Sequence, residues 1–318
     1  MFVIHKLYYT NMFKLKKSGI ILKLCLIVTQ SLLAQNSIDH FFKPADSLNN
    51  NRKMGVIISQ AAIATATFVG LNELWYKDYP KSDFHIINDN AQWLQMDKAG
   101  HVFSAYQLSK TSADALAWSG VSKKNQLLYG ATSGFVMLSA IEILDGYSSK
   151  WGASVGDIFA NASGTTLYVS QELLWNEQRI LPKFSFHTTP YASARPDALG
   201  KSVTEQVFKD YNGQTYWLSA NISSFFKDAK IPKWLNLAVG YGAEGMITGN
   251  EGFTNTIFLP ESKRARQYYL SLDVDLTKIE TKSHTLKTLF SIFNTVKIPS
   301  PTIEFKQFSD VKWHFIYF

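Results

Sequence analysis

Six residues of the N-terminal half have side chains that can bind a metal ion or move a proton. They fall in three separate stretches of the chain: Asp97, Lys98, His101, Glu142, Asp157 and Asn161. Asp97 and His101 are four residues apart, so in a helix they lie one turn apart and can share a proton or a ligand. Imidazole and carboxylate groups bind divalent metals, and a histidine can act as an acid or a base near neutral pH. The six residues therefore suggest two kinds of site: a divalent metal bound by His101, Asp97, Glu142 and Asp157, or acid–base catalysis.

A structural role also explains each of these residues, and polar networks of this kind are often architectural. Asp97 could cap a helix, and the spacing of Ser154 and Asp157 fits a capping box with aspartate in place of the usual glutamate. His101 could be a hydrogen-bonded core residue, while Lys98 could form a buried ion pair that fixes the register of two helices. We expect the structural role to dominate, with ligand binding and acid–base catalysis as the alternatives.

Apolar stretches with helical spacing predict four helices that would carry these residues. They run from Met54 to Tyr76, from Asp97 to the break at Lys123, from Gln126 to Asp145, and from Ser154 to Trp175. The third helix contains Gly130 and Gly134 as a GxxxG pair, and the fourth has Gly156, Ala160 and Gly164 in one column. Small residues at this spacing let helix backbones approach closely. Such contacts would bring the three polar stretches together.

After Pro182 the chain alternates and becomes rich in aromatic and β-branched residues, as strands do. Strands are predicted at Lys183–His187, Gln214–Asn221, Trp234–Tyr241, Gln267–Leu276, Thr302–Gln307 and Val311–Phe318. Short helices are predicted at Lys201–Asp210 and His284–Val296. The expected fold class is α+β, in which an N-terminal bundle of about four apolar, small-residue-rich helices precedes an antiparallel β-rich region with one or two short helices. The terminal Phe318 is a feature of outer-membrane strand proteins, although a buried central strand explains it about as well.

The first 34 residues have the composition of a signal peptide. Lys14, Lys16 and Lys17 form a basic segment, Gly19 to Leu33 is mostly apolar, and the sequence around Ala34 resembles a cleavage site. This stretch holds five lysines and no acid, so its removal lowers the net charge from +7 to +2. No basic stripe remains that would indicate binding to nucleic acid. The predicted boundaries are a signal peptide at 1–34, a linker at 35–52, a helical module at 53–182 and a β-rich module at 183–318.

The single cysteine, Cys25, lies inside the predicted signal peptide. The mature chain would therefore have neither disulfides nor thiolate metal ligands. Leu24, which precedes Cys25, is too large for a lipoprotein cleavage motif, so ordinary cleavage is favoured over lipid attachment. Motifs of common hydrolases and nucleotide-binding proteins, such as HExxH, GxSxG and the P-loop, do not occur in the sequence.

Five motifs in this order resemble an uncharacterised bacterial family: Asp97-Lys-Ala-Gly-His101, Glu142-Ile-Leu-Asp-Gly146, Ser154-Val-Gly-Asp157, Asn161-Ala-Ser-Gly164 and the stretch from Lys209 to Trp217. The chain resembles the YfiM-like predicted periplasmic lipoproteins, domain of unknown function 2279, in the long form seen in Bacteroidetes. The resemblance extends from about residue 50 to the C-terminus. The polar pattern is also distantly similar to VanZ-like membrane proteins, although the β-rich region has no counterpart there. The resemblance implies an envelope protein and supplies no catalytic residues.

Together these observations predict an exported, membrane-associated protein with a structural or binding role in the periplasm or at the outer membrane. The inner membrane is the alternative location. The expected partners are a membrane or lipid and another envelope protein, and no nucleic acid is expected. The alternative function is a membrane-surface enzyme, a metal-dependent or acid–base hydrolase that acts on a lipid or a cell-wall precursor.

Overall fold

The computed structural model describes residues 37–250 and 263–318, so the predicted signal peptide lies outside the described residues. The chain divides into two compact units. In the described part of the smaller unit, residues 37–43 and Thr281–Leu289, the Asp39 carboxylate accepts hydrogen bonds from the Thr285 backbone N–H and the Ser283 hydroxyl. The larger unit contains the long helices, the main sheet and all six candidate residues.

Four long helices lie in the described part of the helical region: α1 (Asn50–Leu71), α2 (Met96–Trp118), α3 (Lys123–Gly146) and α4 (Val155–Leu174). A π-helical turn, Asn72–Tyr76, continues α1, and a second one lies within α3. The helix α1 begins within the stretch predicted as a linker, and the Asn49 side chain caps it by accepting a hydrogen bond from the Arg52 N–H at 3.0 Å. Residues 50–52 are therefore helical, as are residues 37–42.

The helices differ in how far they are enclosed. The helices α3 and α4 both pack on α2, whereas only Val56 of α1 is buried. Apolar residues occur on several faces of α1, and Ile58 and Ile63 are each about three-fifths exposed. Within the described residues, α1 and α3 are long and apolar enough to cross a membrane by length and composition. The predicted bundle is thus formed mainly by α2, α3 and α4.

Glycines hold α2 close to both of its neighbours, as the small-residue spacing predicted. A Cβ atom added to Gly134 of α3 would lie 2.3 Å from the Ala105 carbonyl oxygen of α2. A Cβ atom added to Gly164 of α4 would lie 2.1 Å from the Val102 carbonyl oxygen, also in α2. These contacts are between backbones, so they fix the relative positions of the three helices that carry the candidate residues.

We expect Gly164→Ala to destabilise the fold by about 1–3 kcal/mol, because the added methyl group overlaps the α2 backbone and the helices must separate. Gly55→Ala is the matched control, since a Cβ atom there meets no atom within 4 Å. In the middle of a helix this control should stabilise the protein by about 0.5–1 kcal/mol. Urea unfolding in a mild detergent, followed by tryptophan fluorescence, measures both effects. Equal unfolding free energies for the two variants would contradict the close helix contact.

The β-rich region forms one antiparallel six-stranded sheet, as predicted, with its strands in sequence order. Its strands are β3 (Ile180–Phe186), β4 (Gln214–Asn221), β5 (Leu235–Glu244), β6 (Ala265–Val274), β7 (Ser300–Lys306) and β8 (Lys312–Tyr317). The strand β3 begins at Ile180, shortly before the predicted boundary at residue 182. Pro182 lies inside β3, which is the first strand of the sheet, and an edge position tolerates a proline. Two short strands, β1 (Ile86–Ile87) and β2 (Ala153–Ser154), pair in parallel outside this sheet.

Five short helices, rather than one or two, lie among the described residues that follow β3: α5 (Pro190–Ala194), α6 (Pro196–Leu199), α7 (Val203–Lys209), α8 (Ile222–Phe225) and α9 (His284–Phe293). Two of them start at a proline, whose fixed φ suits the first helical position. The Asn221 side chain caps α8 by accepting a hydrogen bond from the Ser224 N–H at 3.0 Å. The single turns α5, α6 and α8 are too short to produce a periodic pattern in the sequence, whereas α7 and α9 lie within the two short helices that were predicted.

The two faces of the sheet have unusual polarity. The outer face carries a row of apolar side chains in register across five strands: Leu218, Val239, Leu270, Ile303 and Trp313. Most of these residues are well exposed; for example, Val239 is 52% exposed. The inner face is buried and mainly polar or small, with Ser219, Asn236 and Thr302 all fully enclosed. The sheet thus buries its polar face and exposes its apolar face.

A charged triad lies within this buried face. The carboxylate of Asp273 is 2.8 Å from Lys183 Nζ and 3.7 Å from Lys297 Nζ, and all three side chains are completely buried. Lys183 Nζ also donates to the Val274 carbonyl at 2.7 Å, and Lys297 Nζ donates to the Leu272 carbonyl at 2.8 Å. Buried charges require such partners. The inner face is therefore a closed polar network.

Candidate functional site

The six predicted residues come together where three helix ends meet. Asp97, Lys98 and His101 lie in the first two turns of α2, Glu142 lies in the last turns of α3, and Asp157 and Asn161 lie in the first turns of α4. Glu142, Asp157 and Asn161 are buried. The close packing of the three helices therefore produces the cluster that the sequence predicted.

The start of α2 corrects the prediction that Asp97 caps this helix. The preceding residues Trp93, Leu94 and Gln95 all have positive φ, and Gln95 makes no side-chain capping bond. Consecutive left-handed residues other than glycine are strained. The sheet holds this turn in place, because the Leu94 carbonyl accepts hydrogen bonds from the Tyr241 hydroxyl and, at 3.0 Å, from the Arg266 guanidinium. Asp97 is left free to contact the cluster.

The start of α4 confirms half of the predicted capping box. The Ser154 hydroxyl accepts a hydrogen bond from the Asp157 N–H at 3.1 Å. The reciprocal bond comes from another helix, because the Ser154 N–H donates to Glu142 Oε2 at 3.0 Å. The Asp157 carboxylate is therefore not used in capping and faces the cluster instead.

Lys98 lies between three carboxylates. Its Nζ atom is 2.7 Å from Asp89, 2.9 Å from Asp157 and 3.2 Å from Asp97. The pairing of β1 with β2 brings Asp89 to this point, where its carboxylate also accepts a hydrogen bond from the Ser154 hydroxyl at 2.6 Å. Burial lowers the pKa of Lys98, but the carboxylates, Asp97 first, outweigh this and raise the pKa above its ordinary value. Lys98 is a permanent cation in the cluster.

His101 lies on the other side of the same carboxylates. Its Nδ1 atom is 2.8 Å from Asn161 Oδ1. Its Nε2 atom faces one oxygen of each of three carboxylates, Glu142 Oε1 at 3.7 Å, Asp157 Oδ1 at 3.8 Å and Asp97 Oδ1 at 3.9 Å. These distances exceed hydrogen-bond length. Burial opposes a charge on the ring, but Asp97, Asp157 and Glu142 outweigh it and raise the pKa of His101.

The carboxylates of the cluster respond differently to this environment. Burial, together with the nearby charge of Asp97, raises the pKa of Asp157 to about 6. Burial also disfavours ionisation of Asp97, but His101 and Lys98 outweigh it and lower its pKa. One acid of the cluster is thus easily protonated while its neighbour stays ionised. A cluster of this kind can exchange a proton or bind a cation.

Sequence reasoning missed two contributors to the cluster. Asp89 lies in a stretch that looks like a solvated connection, and no sequence signal indicates the two-residue strand pairing that places it. Tyr211 donates from its hydroxyl to Asp97 Oδ1 at 2.7 Å, and the only signal was its position within the Lys209–Trp217 motif. Asp145, near the end of α3, belongs to the Glu142–Gly146 motif of the sequence, and its carboxylate accepts a hydrogen bond from the Tyr76 hydroxyl at 2.8 Å.

Comparison with known proteins covers this part of the chain. Residues 86–172 match a family model described as a predicted periplasmic lipoprotein, domain of unknown function 2279. The matched segment runs from β1 almost to the end of α4 and contains all six predicted residues as well as Asp89. No curated protein and no solved structure matches the chain. The match supports an exported, envelope-associated location and a family without an assigned activity.

Proposed function

We propose that this exported protein associates with a membrane and has a structural or ligand-binding role there. The observation that carries the proposal is the polarity of the six-stranded sheet. In a sheet that folds in water, the buried face is apolar and the exposed face is polar. Here the apolar face is the exposed one, which is the arrangement of strands whose surroundings are lipid hydrocarbon.

The apolar outer face is broad. Beside the row through Val239, a second row in register joins Tyr216, Tyr241, Tyr268 and Phe305. The α2 helix covers the β3–β4 end of this face, where Phe103 packs on Phe184 and Tyr216. Among the described residues the row from Leu218 to Trp313 is largely exposed, whereas Tyr216 and Tyr241 of the second row pack against the cluster of Leu94 and Met96. Contiguous exposed apolar surface of this kind indicates a membrane or a protein partner.

The inner face favours lipid over a protein partner. A soluble protein that docks a partner on one side of a sheet still needs an apolar core on the other side. Here the inner face holds a small aromatic cluster, Trp217 with Tyr269 and Tyr317, beside the Asp273 triad and a polar network. In that network Asn236 donates to Ser219 at 2.9 Å and Ser219 donates to Asp273 at 2.6 Å. Because these polar groups bond to one another inside the sheet, the outer face is the more apolar of its two faces among the described residues, and lipid is the solvent that matches it.

The helix α1 adds a second exposed apolar surface. Its 22 residues extend about 33 Å, which is comparable to the hydrocarbon thickness of a bilayer. We propose the outer membrane as the location, because the exposed apolar face of the sheet is a surface made of strands and outer-membrane proteins are built from strands. Another envelope protein stays a proposed partner. The hydrolase alternative stays a prediction from the sequence.

Fractionation of cells that produce the full chain tests this proposal. We expect the protein in the membrane pellet, resistant to extraction by high salt and alkaline carbonate and released by detergent. Density-gradient separation should place it with outer-membrane markers. A soluble periplasmic protein of the same cells is the control for incomplete lysis. Recovery in the soluble fraction would overturn the proposal, and recovery with inner-membrane markers would overturn its outer-membrane part.

A further inference from the structure

We infer that the cluster around His101 is a binding site for a divalent cation of the first transition row, such as zinc. The ligands would be His101 Nε2 together with one carboxylate oxygen each from Asp97, Asp157 and Glu142. This inference does not depend on membrane association. Three of these groups, Asp97, His101 and Asp157, have ligand atoms that all lie within 4.8 Å of one another.

The first argument is that the two oxygens of each carboxylate have different contacts. Asp157 Oδ2 accepts a hydrogen bond from Lys98 Nζ at 2.9 Å, and Asp97 Oδ2 accepts one from the same atom at 3.2 Å. Glu142 Oε2 accepts the bond from the Ser154 N–H. In each carboxylate one oxygen thus has a fixed partner and the other faces His101 Nε2, while Asp97 Oδ1 also accepts a hydrogen bond from the Tyr211 hydroxyl at 2.7 Å and Asp157 Oδ1 lies 2.9 Å from Lys98 Nζ. Partners on the outer oxygens orient the inner oxygens as second-shell bonds do in metal sites.

The second argument is the orientation of the histidine ring. With Asn161 Oδ1 as the acceptor, the His101 Nδ1 atom carries the proton, because an amide oxygen can only accept. In the neutral ring the Nε2 atom then carries the lone pair, which can bind an ion that lies between it and the three carboxylate oxygens. Metal-binding histidines commonly donate their other ring N–H to an oxygen in this manner.

The third argument is an unsatisfied buried atom. Asp157 has only 4% of its side chain exposed, and its Oδ1 atom makes no hydrogen bond to any described residue. Lys98 Nζ lies 2.9 Å from this oxygen, but its hydrogen bond goes to Oδ2. A buried carboxylate oxygen without a hydrogen bond is costly. A cation between Oδ1 and His101 Nε2 would satisfy it.

The distances between His101 Nε2 and the three carboxylate oxygens suit a shared metal ion better than direct hydrogen bonds. Two ligand atoms on one zinc ion lie about 3.3 Å apart at the tetrahedral angle, given bonds of about 2.0–2.1 Å. The observed distances of 3.7–3.9 Å from Nε2 to the three oxygens require only a small closure around the ion. One imidazole with several carboxylates suits zinc, manganese or iron better than calcium or magnesium, which prefer oxygen ligands alone.

Titration of the purified full chain with zinc tests the inference. After treatment with a chelator and its removal, calorimetry and elemental analysis of dialysed protein should give one zinc ion per chain. His101→Ala should weaken binding by more than about 100-fold, and Asn161→Ala, which removes only the orienting bond, by about 10–100-fold. His314→Ala is the matched control, because His314 also faces a carboxylate, Glu304 at 2.8 Å, but lies outside the cluster.

Circular dichroism shows whether each variant is folded. If His101→Ala does not fold, Asp157→Asn, which keeps the side-chain size, replaces it and should also lose tight binding. Wild-type protein that takes up no stoichiometric zinc, manganese or iron would overturn the inference. Loss of binding in His314→Ala equal to that in His101→Ala would also overturn it, because the ion would then not be held by this cluster.

Discussion

Replacement of Asp273 by asparagine is expected to destabilise the protein by about 3–5 kcal/mol, the usual cost of removing one partner from a buried ion pair. The substitution changes almost no volume, so cavity formation does not contribute. It leaves the ammonium groups of Lys183 and Lys297 inside the sheet without their shared carboxylate. Two buried like charges repel each other and neither can reach water. The measurement is urea unfolding in mild detergent, followed by tryptophan fluorescence.

Asp275→Asn is the matched control for this prediction. Asp275 lies two residues further along and is also completely buried, but its carboxylate accepts hydrogen bonds from Thr277 and Asn294 rather than from a lysine. Asparagine can replace such a cap at a cost of about 1 kcal/mol or less. The double variant Asp273→Asn with Lys297→Met should recover part of the lost stability, because one unpaired charge is removed. A cost for Asp273→Asn no larger than that of the control would contradict a charged interior.

Much of the fold was predictable because its long elements have regular patterns. The strand at Gln214–Asn221 was predicted with its observed bounds, and the cap at Ser154 was correct because a capping box is a local signal. Of the two roles considered for Asp97, the helix cap was wrong, since the strained turn before α2 is held by the Tyr241 hydroxyl of a distant strand. Local sequence does not contain that contact.

The cluster was predictable in its members but not in its geometry. Glycine spacing indicated that the helices carrying His101 and Asp157 lie close together, and Gly164 shows the contact that causes it. The assignment of single oxygens depends on partners from other segments, such as the Ser154 N–H on Glu142. Asp89 joins through a strand pair of two residues, which is too short for a pattern. The geometry of the cluster could not be predicted because its contacts join segments that are far apart in the sequence, not because the individual helices have weak propensities.

The polarity of the sheet was hidden for a different reason. Alternation along a strand separates two faces, but it does not say which face is inside. In β4, Trp217 and Leu218 are both apolar, and only the structure shows that Trp217 is buried while Leu218 is 44% exposed. The complete burial of Lys183 is equally unexpected for a lysine. The polar network around Asp273 is part of the buried face of the sheet. Its residues come from several strands, so the pattern of a single strand does not predict which face is buried.

Introducing a lysine at Val239 is expected to abolish most of the binding to lipid. Val239 lies in the middle of the outer face, with Leu218 and Leu270 beside it in register. A lysine on the lipid face of a membrane strand costs about 2–4 kcal/mol near the middle of the bilayer, which is about 30- to 1,000-fold in partitioning. The measurement is flotation of detergent-purified protein with phosphatidylcholine vesicles after the detergent has been removed. These vesicles carry no net charge, so the lysine gains no attraction to them.

Val203→Lys is the matched control, which distinguishes the effect of a lysine on the lipid-facing side of the sheet from the effect of a lysine at any exposed valine. Val203 lies in α7 and is 60% exposed, slightly more than Val239 at 52%, so both substitutions place a lysine at an exposed site outside the core. Only the sheet position should change flotation, because only there would the valine contact hydrocarbon. If the outer face instead docks a second protein, Val239→Lys would leave flotation on protein-free vesicles unchanged and would reduce self-association or capture of the partner. Equal flotation of Val239→Lys, Val203→Lys and the unmodified chain would therefore rule out lipid as the surroundings of the sheet.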